Sequence, residues 1–227
     1  MLNRHNLSIA KLAPKDQGSR YELSAVYVHP DYTAETDGKQ LMKVSTGSKA
    51  ASNGAGDTFP PIGGMDPPVL NWKPFLLSVR SALEIAKALP RKPPLPILQY
   101  AAVSAETDNG EQAVLGVSDL HSGNVFRAPK LGGSFPDLYR VIPDRKKASI
   151  RIAVDASLLA LVLKQIADMC SREGAAYCEL SLYGPERAIR IDAKTDEGQD
   201  VLAVVMPMRM SPSHDDDDDE VTRNETE

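Results

Sequence analysis

The residues best placed to do chemistry form one short run, Gly54-Ala55-Gly56-Asp57-Thr58-Phe59. Its glycines would let backbone N–H groups approach a phosphoryl group, and Asp57 could act as a base. A helix starting there would add positive potential. Instead Pro60-Pro61-Ile62-Gly63-Gly64 follows, which does not continue as a helix. A linker is the plainer reading. His121 is two residues from Asp119 and beside Ser122, but a catalytic triad is defined in space, and a turn after a strand accounts for this run. Four scattered histidines have no metal-ligand spacing, and Cys170 and Cys178 form no CxxC pair. Those thiols read as reduced, in a cytosolic protein. The Asp215 to Asp219 run lacks the spaced ligands and glycine of a calcium loop. No GxxxxGK[ST] or GxSxG occurs. The expectation is no catalytic residue, no metal and no cofactor.

Charge is divided unevenly. Residues 211–227 hold five Asp and three Glu against one Arg, a net of −7, so the chain's −5 leaves about +2 on the body. The acidic balance therefore does not argue against nucleic acid. Arg80, Lys87 and Arg91 lie on or just past one expected helix. Lys146 and Lys147 precede a second, which carries Lys164. Such helices could touch phosphates without reading sequence; a solvated helix face is the plainer alternative. Aromatic residues make up only 5% and do not alternate with basic ones, which disfavours a single-strand stacking platform. The longest apolar run, 156–163, is far too short to span a membrane, and no signal peptide is expected.

The elements that must position these groups follow from periodicity. Tyr21, Leu23, Ala25 and Tyr27 alternate along a strand whose other face, Val26 and Val28, is also apolar. Short strands are expected at 32–35 and 40–45 around the tight turn Thr36-Asp37-Gly38. Residues 46–68, rich in Gly, Pro and Ser, read as a long flexible loop. A helix is expected from near Pro74, with Leu76, Val79, Leu83, Ala86 and Leu89 as its stripe and Pro90 as its stop. Strands at 98–105, 113–118, 124–128 and 138–142 come next. A further strand at 149–154 leads to a helix capped by Asp155, with the stripe Leu158, Leu159, Val162, Leu163, Ile166 and Met169. Strands at 177–183, 188–193 and 200–206 close the body. The pattern is α+β: β-α-β-β-β units with helices packed on one face of antiparallel sheets. Residues 211–227 have too little apolar surface to fold.

Three segments carry a resemblance. Arg20-Tyr21-Glu22-Leu23, with Thr36-Asp37-Gly38-Lys39-Gln40-Leu41 beyond it, is similar to the RYYL and TDGHRL segments of the bacterial β sliding clamp family. Phe135-Pro136-Asp137-Leu138-Tyr139-Arg140-Val141-Ile142-Pro143 resembles FPDYRRVLP, and Val204-Val205-Met206-Pro207-Met208-Arg209-Met210 resembles VVMPMRL. They occur in the family's order. The resemblance implies the DNA-clamp fold: residues 1–147 as a middle domain, 148–210 as half of the last domain, and 211–227 as an added tail. The first domain and the opening half of the last are missing from the match, and Lys39-Gln40 replaces the usual His-Arg.

What the resemblance implies about function is a non-catalytic processivity subunit of the replicative DNA polymerase. Such clamps are rings whose helices face duplex DNA. They bind polymerase and repair proteins through short hydrophobic peptides. The peptide pocket would use Leu23, Thr36, Gly38, Leu41, Pro136, Arg140, Val141, Val204, Val205, Met206, Pro207, Met208 and Arg209. DNA contact would fall to Arg80, Lys87, Arg91, Lys146, Lys147 and Lys164. A homo-oligomer, a cytoplasmic location and no membrane partner are expected. Two alternatives stand beside this: an adaptor or competitor that keeps the peptide pocket without encircling DNA, and a kinase using the Gly54 to Phe59 run, which resembles the anion-hole signature of ribokinase-type sugar kinases.

Overall fold

A computed structural model of the chain describes residues 1–13, 25–46, 59–170, 176–195 and 198–209. The chain divides into two compact units, Met1–Asp137 and Leu138–Glu227. Segment 138–147, assigned to the first domain by the sequence reading, groups with the second unit.

The first unit begins with β1 (Leu2–Asn3), α1 (Arg4–Ser8), β2 (Ala25–Val28), β3 (Tyr32–Thr36) and β4 (Leu41–Ser45). It continues with β5 (Phe75–Ser78), α2 (Val79–Ala88), β6 (Tyr100–Val103), the one-turn α3 (Glu106–Asn109), β7 (Gln112–Ser118) and β8 (Gly123–Pro129). The two runs exchange their first strands. One sheet has the order β4-β3-β2-β5 and the other β1-β6-β7-β8, with every pair antiparallel. The helices α1 and α2 pack against each other, and their apolar stripes bury Leu7, Ile85, Leu2, Leu77, Val26 and Leu115 in one core. Each such side chain contributes roughly 1.5–3 kcal/mol relative to exposure.

Polar contacts fix this packing. Asn3 and Asn6 form a reciprocal capping box at the start of α1. The Asn6 Nδ2 group also donates to Thr33 Oγ1 at 3.2 Å and to the Ser45 carbonyl at 3.0 Å, joining α1 to β3 and β4. At α2 the Ser78 hydroxyl accepts from the Ser81 N–H at 3.1 Å. That cap sits later than expected: Leu76, counted in the helix stripe, belongs to β5, which pairs with β2. Leu76 lies in the apolar run Phe75-Leu76-Leu77, which fits either period, so the stripe alone could not place the boundary. The stop before Pro90 is as expected. Likewise Pro96–Gln99 is a 3₁₀ turn, and the strand expected from residue 98 begins at Tyr100.

The Gly/Pro-rich stretch is not merely loose chain. In its described part, 59–68, Phe59 and Ile62 are buried with Leu98 and Ala102. A Cβ on Gly116 would lie 2.5 Å from Met65 Sδ and 2.7 Å from Ile62 Cδ1. A bare glycine in β7 lets this segment lie flat on the sheet.

The second unit holds α4 (Leu138–Val141), a 3₁₀ turn at Arg145–Lys147, α5 (Ala156–Met169), β9 (Cys178–Ser181), β10 (Ile189–Lys194) and β11 (Asp200–Val205). Its antiparallel sheet runs β11-β10-β9. Asp155 caps α5 as expected, with Oδ1 accepting from the Ser157 and Leu158 N–H groups at 2.8 and 3.3 Å. Leu159, Val162, Leu163 and Ile166 pack on Ile189, Ile191 and Val205. Leu158 and Met169, assigned to the same stripe, are exposed instead, because at 100° per residue they fall to one side of it. Segment 138–142, expected as a strand, makes the single turn α4. Segment 149–154 makes only one ladder bridge, between Ala153 and Met208. No helix among the described residues is long and apolar enough to cross a membrane.

Candidate functional site

The candidate residues fall in both units. In the first, Thr36, Gly38 and Leu41 belong to the β3–β4 hairpin. Gly38 has φ of +86°, a left-handed conformation that glycine adopts without steric cost. The Thr36 hydroxyl donates to the Gln40 carbonyl at 2.6 Å and accepts from the Gly38 N–H at 3.1 Å. Asp37 Oδ1 accepts from the Lys39 and Gln40 N–H groups, both at 2.8 Å, and these bonds hold its carboxyl below the usual range. The turn is thus braced from inside. Leu41 is half-buried, while Met42 beside it is exposed. Pro136 is exposed. Leu23 lies outside the described residues.

Two features of this region escaped the sequence reading. Phe135 stacks on Tyr27 with ring centroids 4.9 Å apart, and His29 stacks on Tyr32 at 4.6 Å. Lys43 Nζ sits 4.4 Å from the Tyr32 ring centroid. Low overall aromatic content concealed this cluster; the tyrosines flanking the β2–β3 turn were the available signal. The second feature is Glu35, fully buried with neither carboxylate oxygen hydrogen-bonded. Burial, with Asp37 adding repulsion, pushes its pKa up to about 7.

In the second unit, Val204, Met206 and Met208 are exposed, at 53%, 65% and 55%. Arg209 is exposed and Pro207 half-buried. The Met208 N–H donates to the Ala153 carbonyl at 2.8 Å and fixes the backbone there. Val205 differs from its neighbours: at 4% exposure it belongs to the core under α5 and offers no side-chain surface. Strand alternation accounts for the division. Arg140 and Val141 are exposed on α4, which is anchored by buried Leu138.

The candidate DNA-contact residues Arg80, Lys87, Arg91, Lys146, Lys147 and Lys164 are all exposed. Arg80 and Lys87 stand two turns apart on α2, with Glu84 between them. Lys146 and Lys147 occupy the 3₁₀ turn capped by Asp144. The run Asp119 to Ser122 is a turn: Asp119 Oδ1 accepts from the His121 and Ser122 N–H groups at 3.0 and 2.7 Å. Of the phosphate-loop candidate, 54–58 lie outside the described residues, and Phe59 is buried in the core.

No protein-family model matches the chain, and no curated protein is similar to it in sequence. Solved structures do match. The DNA polymerase sliding clamp of Bacillus subtilis is 16% identical with a TM-score of 0.59, over 91% of this chain and 48% of the clamp. A ligand-bound clamp from Pseudomonas aeruginosa is 17% identical with a TM-score of 0.62, over 90% and 48%. The sliding clamp of Bartonella birtlesii bound to griselimycin is 15% identical with a TM-score of 0.59, over 92% and 49%. The chain thus spans about half the length of these clamps. At such identities the likeness is one of architecture: this chain has the fold of bacterial DNA polymerase III β sliding clamps over about half their length.

Proposed function

We propose that the chain is a non-catalytic, clamp-like protein of DNA replication or repair that binds short hydrophobic partner peptides and touches duplex DNA without sequence preference. The observation that carries this reading is the exposed ridge Val204, Met206 and Met208 on a clamp fold. Three large apolar side chains facing water on consecutive outward positions are costly unless covered. Methionine's flexible, polarizable side chain suits several different peptides. The exposed hairpin residue Met42, beside the half-buried Leu41, is a second apolar contact candidate, in the first unit. Arg80, Lys87, Arg91, Lys146, Lys147 and Lys164 would meet phosphates.

The test is fluorescence anisotropy with a labelled clamp-binding peptide. Wild type should bind, and Met206→Ala combined with Met208→Ala should weaken binding at least tenfold. Unchanged affinity would refute the ridge as the site. A second reading is an adaptor or competitor that uses the same ridge but does not encircle DNA. Peptide binding without any measurable duplex binding would select it.

A further inference from the structure

In the first unit, each run of strand, helix and three strands completes itself with a strand from the other run. β5 pairs with β2, placing Leu77 opposite Val26 and Phe75 opposite Val28. β1 pairs with β6, placing Leu2 opposite Ala101. All six residues are at most 5% exposed. The second unit holds one such run. Its β9 is a sheet edge, hydrogen-bonded only to β10 among the described residues.

The run β5–β8 corresponds to the second unit at an offset of 77 positions, except that β10 follows β7 at 76 (Ile191 stands where β7 has Leu115). Asp155 caps α5, 77 positions after Ser78 caps α2. The Met208 N–H donates to the Ala153 carbonyl, and 77 positions earlier the Leu131 N–H donates to the Leu76 carbonyl. Leu180 faces Ile191 in β10, and 77 positions before Leu180, Val103 faces Leu115 in β7. Yet Val103 is fully buried, while Leu180 is 45% exposed. On the helix, Ala156 and Ala160 are exposed at the positions where α2 carries the partly buried Val79 and Leu83.

We infer that the second unit pairs with the second unit of another copy of this chain, segment 152–155 of each copy adding to the β9 edge of the other. This rests on the fold and not on the function proposed above. The register follows from the β1–β6 pairing. Val154 would face Cys178 of the second copy, and Ile152 would face Leu180 of the second copy. Both pairs are apolar and lie on the helix side of the sheet, where Ile152, Val154 and Cys178 already pack against the core. The exchange is reciprocal, so one two-fold axis satisfies both edges, and no segment or foreign partner outside this chain is required. Small Ala156 and Ala160 side chains allow the two α5 helices to approach, as α1 and α2 do.

The full chain should therefore run as a dimer by light scattering at about 100 μM and dissociate on dilution. Leu180→Lys, which places a charge in the joint, should shift the equilibrium to monomer by at least tenfold while circular dichroism stays unchanged. A second variant does not depend on that substitution folding well. Val154→Cys, with Cys170→Ser to remove the other thiol, sets a thiol opposite native Cys178 of the second copy at a separation that antiparallel pairs share with disulfides. Mild oxidation should give a covalent dimer that reductant reverses. Ala153→Cys, facing the other side of the sheet, should give none. A wild-type monomer throughout this range would overturn the inference. So would a dimer that ignores Leu180→Lys and does not cross-link through Val154→Cys.

Discussion

Glu35 gives the sharpest prediction of stability. Its carboxyl is sealed in β3 with both oxygens lacking hydrogen bonds, and its pKa rises from 4.5 to about 7. The folded value lies above the unfolded one, so the fold favours the proton. The corresponding stability is fully present below about pH 4.5 and is lost as pH climbs through 7. A difference of about 2.5 units corresponds to a ceiling of about 3 kcal/mol. Glu35→Gln keeps the shape of the neutral acid and removes the titration. At pH 8 the variant should be more stable than wild type by about 1–3 kcal/mol, and at pH 4 the two should agree within about 0.5 kcal/mol. Urea unfolding followed by fluorescence reads this cleanly, because the chain's one tryptophan, Trp72, lies in the core of the same unit. A difference independent of pH, or a variant less stable at pH 8, would refute the buried, unpaired carboxylate.

Other consequences follow from particular contacts. Leu120 has φ of +77° in the β7–β8 turn, so Leu120→Gly should stabilise the chain by about 0.5–1 kcal/mol in the same urea assay. Gly116→Val should cost about 1–3 kcal/mol, because its Cβ meets Met65 and Ile62; limited proteolysis should then cut within 59–68 faster than in wild type. Duplex affinity should fall roughly 100-fold between 50 and 200 mM salt if four of the six basic residues neutralise phosphates, with no difference between unrelated sequences. A shallow salt slope in a mobility assay would remove the DNA part of the reading.

Much of the scaffold was legible because local signals were strong. Asp155 as a cap, Pro90 as a stop, and the Thr36-Asp37-Gly38 turn each rest on chemistry contained within a few residues. The exchanged first strands were not legible. β1 is two residues long, and its pairing with β6 depends on residues about 98 positions away. The burial of Phe59 and Ile62 was masked by a composition that normally marks mobile chain. α4 was misjudged because four residues satisfy either period. Of the candidate site, the outward set Val204, Met206 and Met208 can be separated from the core residue Val205 only by knowing which strand face α5 covers. Burial of Glu35 depends likewise on what lies over β3, which alternation in the sequence does not state.

The proposed role of the Met206-Pro207-Met208 ridge as a peptide-binding surface can be decided in solution. Calorimetric titration of a clamp-binding peptide into the full chain is the decisive experiment. Saturable binding at one site per chain is expected, weakened at least tenfold by Met206→Ala with Met208→Ala. Absence of binding, or equal affinity in the variant, would contradict it.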